Sequence, residues 1–161
     1  MNSKLLFACT LLLMGICLAQ ETRRPLAADL MKKNEQNATV AMRTLNTAAL
    51  TYKTSYEDAG YPSSLSSMAS NGDSKDYNQE HAGLINEDLG CKNMPCTFHN
   101  YLFSYKKTAK GYVATARPQD YGVNGKLSLY SDQTGVIRGT FEDHEATVDD
   151  SPVDKLNDAA K

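Results

Sequence analysis

The clearest structural pattern in the chain lies in residues 99–141, which read HNYLFSYKKTAKGYVATARPQDYGVNGKLSLYSDQTGVIRGTF. Polar and apolar residues alternate at its start, so that Tyr101, Phe103 and Tyr105 share one face of a strand. Short turn-forming segments then interrupt the alternation. Four strands are predicted, at residues 99–107, 112–117, 127–131 and 136–141. Their close spacing indicates an antiparallel meander.

The turn between the last two predicted strands is the most specific part of this stretch. It consists of Asp132, Gln133, Thr134 and Gly135. The Asp132 carboxylate is expected to accept backbone N–H bonds, and Gly135 is expected to adopt a positive φ because it has no Cβ. We therefore assign Asp132, Thr134 and Gly135 to a structural hairpin turn rather than to catalysis.

One long helix is predicted before the strands, at residues 26–56. Pro25 suits its first turn, and Gly60 and Pro62 end it. The residues that recur at three- and four-residue steps form a thin stripe for packing on a sheet: Leu30, Asn34, Ala38, Ala41, Leu45, Ala48, Tyr52 and Tyr56. The fold class expected is α+β, with a long N-terminal helix packed on a four-stranded antiparallel sheet.

Length and charge exclude several classes of protein. With 161 residues the chain has the size of one ordinary domain. Its formal net charge is −2 and its pI is about 5.9, whereas nucleic-acid binders usually show a strong basic bias. We therefore expect no nucleic-acid partner.

Residues 1–19 have the pattern of a secretory signal peptide. Lys4 precedes an uncharged apolar run of 15 residues, which ends at Ala19 and is too short for a typical membrane span. Cleavage is expected after Ala19, with export to the periplasm, the cell surface or the extracellular space. A retained membrane anchor and a lipoprotein anchor at Cys17 are the alternatives.

Removal of residues 1–19 leaves only two cysteines, Cys91 and Cys96. In an oxidising compartment such a pair usually forms a disulfide, which here would close a short loop and pin a local turn. Half of a zinc site with His81 and His99, or a redox-active pair, are weaker alternatives because neither spacing fits the usual pattern. No metal and no cofactor is expected.

The rest of the mature chain is predicted to be irregular. Residues 60–97 are rich in turn formers, with a short helical turn at residues 62–68. Asp73, Asp76 and Glu80 in this loop lack the spacing of a calcium loop. The domain proper is expected to span residues 20–141. Residues 142–161 hold seven acids and two lysines, which predicts a disordered acidic tail, with a partner-binding peptide as the alternative.

No catalytic residue is assigned. The chain contains neither a nucleophile elbow nor a phosphate-binding loop, and its three histidines are His81, His99 and His144. The adjacent acids at 87–88 and 142–143 would point to opposite faces of a strand. Nine tyrosines with no tryptophan are expected to fill the space between helix and sheet, with an exposed aromatic patch for a protein or glycan as the alternative.

The order of helix, cysteine-containing loop, meander and tail resembles the globular part of type IV pilins and type II secretion pseudopilins. The resemblance covers roughly residues 34–141. It is carried by the helix at 34–48, by YLFSY at 101–105, by GYVATARP at 111–118 and by LYSDQTGVIR at 129–138. It implies a bacterial source and a structural or interaction role linked to a pilus or a secretion apparatus.

One departure from that family affects the expected function. A prepilin has a glycine at its peptidase site, followed by an aromatic residue and an apolar helix with a glutamate at its fifth mature position. Here Gly15 precedes Ile16, and the mature helix carries Lys32, Lys33 and Glu35. Burying these charges in a filament core would be costly.

The function expected is that of an exported, non-enzymatic, pilin-like module that binds a protein partner. A membrane partner is expected only if residues 1–19 are retained, and the oligomeric state stays open. The alternatives are a small secreted enzyme or inhibitor on a pilin-like fold, and an anchored filament subunit that retains residues 1–19.

Overall fold

The computed structural model describes the backbone of residues 3–72 and 76–159, and the side chains of residues 26–72 and 76–156. Helix α1 (Ser3–Ser55) comes first, followed by a 3-10 turn (Ser66–Met68). The strands are β1 (Cys96–Phe98), β2 (Tyr101–Lys107), β3 (Tyr112–Pro118), β4 (Ser128–Asp132), β5 (Arg138–Thr140) and β6 (Ser151–Pro152). Helix α2 (Val153–Ala159) ends the described chain.

The sheet has six strands, so the predicted four-stranded sheet is wrong. All neighbours are antiparallel, in the sequential order β1 to β6. The four predicted strands correspond to β2–β5, with ends shifted by one or two residues. Strands β1 and β6 were not predicted because they have only three and two residues, too few to show an alternating pattern.

Helix α1 packs on the sheet through a row of mostly small residues. Ala38, Ala41 and Ala48 are all buried, and they allow the helix to approach the sheet closely. Larger side chains from both layers fill the remaining core: Met42, Leu45, Tyr52, Tyr101, Phe103 and Leu129. The predicted stripe is present except at Leu30, which is 54% exposed.

The helix is longer than predicted. It runs from Ser3 to Ser55, so Pro25 lies within it rather than in its first turn. The side chains of the predicted signal peptide, residues 1–19, lie outside the described residues. No helix within the described part of the chain combines the length and apolar character needed to cross a bilayer.

The acidic segment after β5 is folded, and the prediction of disorder is corrected. Ala146 and Val153 are buried, and β6 extends the sheet beside β5. The acids here serve local structure: Asp150 accepts bonds from the amide and hydroxyl of Thr147, and Glu145 accepts one from Thr115 of β3. The charge of the segment alone gave no sign of these bonds of Glu145 and Asp150, which hold it locally and against β3.

The segment between α1 and β1 is irregular, yet it has a buried interior. Leu65, Met68, Ile85 and Leu89 belong to the core, and a bridge joins Ala69 to Ile85. The predicted helical turn is present as the 3-10 turn (Ser66–Met68). Asp73, one of the acids considered for calcium, lies outside the described residues.

Candidate functional site

The predicted disulfide between Cys91 and Cys96 is present, with a Cα–Cα distance of 5.5 Å. Cys96 is buried at the start of β1, while Cys91 is half-buried in the preceding loop. The bond therefore fixes the end of the irregular segment to the edge strand of the sheet. This position makes it a structural link between two elements rather than an isolated loop closure.

The predicted hairpin turn joins β4 to β5 and also binds α1. The Asp132 Oδ1 atom accepts bonds from the Thr134 amide (2.9 Å) and hydroxyl (2.6 Å), and Gly135 has a φ of +74°. The Gly135 carbonyl accepts a bond from Asn46 Nδ2 at 3.0 Å, and Asn46 Oδ1 accepts the Tyr112 hydroxyl at 2.9 Å. Asn46 thus joins the helix to β3 and to the turn, which sequence reasoning did not foresee.

Tyr52, Tyr105 and Tyr112 are buried at this end of the molecule, each with a hydrogen-bonded hydroxyl, and the half-buried Tyr61 packs against Tyr112. The rings of Tyr105 and Tyr112 are stacked at 5.4 Å, and Tyr61 lies 5.3 Å from Tyr112. The Tyr105 hydroxyl donates to the carbonyl of Pro62, and the Tyr52 hydroxyl to that of Gln79. Burial, followed by the neighbouring tyrosines, raises the pKa of Tyr105 well above its ordinary value.

A groove of about 500 Å³ opens on one flank of α1, and we call it the α1–β1 groove. Its helix wall consists of Asn37, Val40, Ala41 and Thr44. The opposite wall is formed by the loop of residues 83–89 together with Ser70, and Phe98 and His99 at the end of β1 complete it.

Charge is absent from this groove. None of its twelve lining residues is an aspartate, glutamate, lysine or arginine, although the chain is 22% charged. Val40 is 57% exposed, while Leu84 and Phe98 are half-buried, so apolar surface meets solvent here. The side-chain amides of Asn37 and Asn86 supply polar groups of both kinds, donor and acceptor. These groups suit a neutral ligand that combines apolar side chains with amides.

Backbone bonds hold the loop wall of the groove in place. Ala82 donates to the carbonyl of Ser67, and Leu84 donates to that of Met68. The Asn86 Oδ1 atom accepts the amide of Leu89 at 3.0 Å. The wall is therefore anchored to the 3-10 turn and to the core instead of standing free.

The turn between β1 and β2 forms the end of the groove. His99 and Asn100 have φ values of 49° and 62°, as in a two-residue hairpin with both central residues in the left-handed region. The His99 ring packs edge-on against Phe98, with centroids 4.2 Å apart. His99 was predicted to begin a strand, and its place in a turn corrects that prediction.

The other residues considered for chemistry lie on separate elements. His81 belongs to the loop before β1, and His144 follows β5, where its Nε2 atom lies 3.4 Å from a Glu142 oxygen. Within the described residues, no group of three or more histidine, cysteine or carboxylate side chains has the geometry to hold a metal ion.

Sequence reasoning missed the groove because its lining comes from four separated parts of the chain: α1, Ser70, the loop of residues 83–89 and the end of β1. Asn37, Val40 and Thr44 lie outside the predicted stripe of α1, and no role was predicted for them. One signal was present: Val40 interrupts the polar outer face of the predicted helix.

The chain matches no protein family model, no curated protein and no solved structure. Its function is therefore inferred from its own residues.

Proposed function

We propose that this protein is an exported, non-enzymatic interaction module that binds an extended, uncharged segment of a protein partner in the α1–β1 groove. From the family resemblance of its sequence, the partner is expected to belong to a pilus or a secretion apparatus. The observation that carries the proposal is the groove itself, which is apolar, amide-bearing and free of formal charge.

The edge strand beside the groove favours an extended peptide as the ligand. In a two-residue hairpin, the closing pair Phe98 and Tyr101 exchanges the ladder bonds, so the N–H and C=O of Thr97 point away from β2. A peptide can pair with these groups as an added strand, while its side chains contact Phe98 and Val40. A charged ligand would find no countercharge among the lining residues.

Export is supported by residues 1–19 and by the disulfide. A short apolar run after Lys4, ending in small residues, is the pattern that signal peptidases process. Disulfides persist in oxidising compartments and are rare in reducing ones. Both features favour a module that acts outside the cytoplasm.

Site-specific photocrosslinking in the native host tests the proposed groove. A photoreactive phenylalanine derivative replaces Val40, inside the groove, or Leu50, outside it on the same helix. The two positions form a matched pair, since their exposed fractions are 57% and 59%. We expect one discrete adduct at position 40 and none at position 50, with the crosslinked peptide being an uncharged segment of a protein.

A blocking variant controls for chance contacts. Thr44→Glu places a charge at the exposed helix wall of the groove, and should abolish the adduct at position 40 without unfolding the protein. Equal adducts at positions 40 and 50, or an adduct that persists in Thr44→Glu, would contradict the proposal. Conversion of a small molecule by the purified protein would favour the enzyme alternative.

A further inference from the structure

The chain contains two Asn-Gly dipeptides, and they lie in different surroundings. Asn71 and Gly72 are both exposed in the irregular segment before β1, whereas Gly125, which follows Asn124, is buried. In this dipeptide an asparagine side chain can react with its own backbone, because glycine has no Cβ to obstruct the approach of its nitrogen to the side-chain carbon. The structure around each dipeptide then decides whether the reaction takes place.

A carboxylate lies on the backbone nitrogen that would react with Asn71. The amide of Gly72 donates to the Oε1 atom of Glu87. The two segments that carry these residues are joined next to this contact, where the amide of Ser70 donates to the carbonyl of Ile85 at 3.3 Å. A backbone amide attacks a carbonyl carbon only as it loses its proton, and a carboxylate that already accepts its N–H bond is placed to take that proton.

Water is the second reactant, and it can reach this site. Asn71, Gly72 and Glu87 line one cleft of about 260 Å³, together with His81 and Lys92. The first three of these residues are exposed, so solvent enters the cleft from their side. The cleft therefore brings together an amide side chain, the attacking nitrogen, a base and water.

The second dipeptide has the same sequence but is held by its neighbours. The Asn124 Oδ1 atom accepts the amide of Asp120 at 3.1 Å, and the Asn124 carbonyl accepts a bond from Asn34 Nδ2 at 2.9 Å. Gly125 packs so closely on the Tyr101 hydroxyl that an added Cβ would lie 2.4 Å from it. The Asn124 side chain is thus turned toward another partner, and the backbone around Gly125 has no room to move toward it.

We propose that Asn71 is a self-modification site, at which the Gly72 nitrogen displaces ammonia from the asparagine side chain. A bond forms between the Gly72 nitrogen and Cγ of Asn71, and the proton of that nitrogen passes to the Glu87 carboxylate. The Cγ–Nδ2 bond then breaks, and the leaving nitrogen takes the proton from Glu87 to depart as ammonia. Water opens the resulting succinimide ring at either of its carbonyls, which yields aspartate or isoaspartate at residue 71.

The reaction adds a negative charge beside Glu87. Because like charges at short range repel, the product should weaken the contact between Glu87 and Gly72. Each molecule reacts once, so the modified fraction rises with the age of the protein. The site requires no occupant in the α1–β1 groove.

Peptide mapping by mass spectrometry tests the proposal on the full purified protein, incubated at neutral pH in water labelled with heavy oxygen. We expect labelled oxygen to enter residue 71 and not residue 124. Unfolding in urea should remove the difference between the two dipeptides, and should make Asn71 react more slowly than it does in the folded protein. Glu87→Gln should lower the rate at Asn71 about tenfold or more, because an amide accepts the hydrogen bond but not the proton.

Asp88→Asn is the matched control, since Asp88 is an exposed carboxylate next to Glu87 and its loss changes the net charge equally. It should leave the rate at Asn71 unchanged, and circular dichroism verifies that both variants fold. The proposal would be overturned if Asn71 kept its amide or if Asn124 reacted as fast in the folded protein. An equal rate in Glu87→Gln and the wild-type protein would overturn it too, as would a faster reaction of Asn71 in urea.

Discussion

At the scale of single residues, Asn46 is a polar side chain of α1 that joins the helix to the sheet at two points. It accepts the Tyr112 hydroxyl and donates to the Gly135 carbonyl, and thereby joins one helix to two parts of the sheet. A fully hydrogen-bonded amide between two layers helps to specify their relative position.

Replacing Asn46 with alanine should lower the free energy of unfolding by about 2 kcal/mol, because two hydrogen bonds are lost and their partners stay behind. Thr51→Ala, at an exposed position of the same helix, is the control and should change stability by less than about 0.5 kcal/mol. Urea denaturation measures both variants. Equal stability of the two would show that the Asn46 bonds contribute nothing.

The buried tyrosines predict a loss of stability at alkaline pH. The pKa values of Tyr105 and Tyr112 are raised above 10, chiefly by burial and then by neighbouring tyrosines, so the folded state disfavours the ionised forms. Their stabilising contribution is therefore complete below pH 10 and is lost as the pH rises through the folded-state pKa.

Urea unfolding between pH 8 and pH 11 measures this dependence. The free energy of unfolding should fall above pH 10, and Tyr105→Phe should reduce the slope because one buried phenol no longer titrates. Tyr77→Phe, at a 59% exposed position, should leave the slope as it is. A free energy of unfolding that stays constant up to pH 11 would contradict the burial of these tyrosines.

At the scale of elements, the disulfide and β1 form one unit. The bond closes a loop of six residues, for which chain entropy predicts a stabilisation of about 2 kcal/mol. In urea denaturation, the double variant Cys91→Ser, Cys96→Ser should have a free energy of unfolding lower than that of the wild-type protein by this amount. The reduced wild-type protein should have the same stability as the double variant. Identical stability of oxidised and reduced protein would show that the bond does not constrain the unfolded chain.

The segment of residues 142–159 is the second element with a testable role. Val153 is 4% exposed and packs with the core at the start of α2, so Val153→Asp should destabilise the domain by about 3 kcal/mol. Val148→Asp in the same segment should be nearly neutral, since that side chain is 51% exposed. Thermal unfolding compares the two. If Val153→Asp had the same melting temperature as the wild-type protein, this segment would not be part of the fold.

At the scale of the whole molecule, the long repetitive elements followed from the sequence and the short ones did not. Alternation from Tyr101 to Tyr105 was enough to predict a strand, and the stripe from Asn34 to Tyr52 was enough to predict a helix. A two-residue strand at Ser151 leaves no such pattern, because its place depends on pairing with β5.

The candidate groove shows the same limit on prediction. Val40 is 46 residues from Asn86 in the sequence, and Asn86 is 12 residues from Phe98. The three meet only after the loop of residues 83–89 has folded against α1. The disulfide and the hairpin turn were predictable because each depends on residues at most five positions apart. Contacts between residues close in the sequence can be predicted from a single sequence. Surfaces assembled from distant segments cannot.

The intact mass of the protein purified from its native host, with and without reductant, tests export and the disulfide together. An exported module should begin at Gln20 and be two hydrogens lighter without reductant than with it. A chain that retains residues 1–19, carries four free thiols and shows no mass change on reduction would contradict export and would favour the anchored subunit.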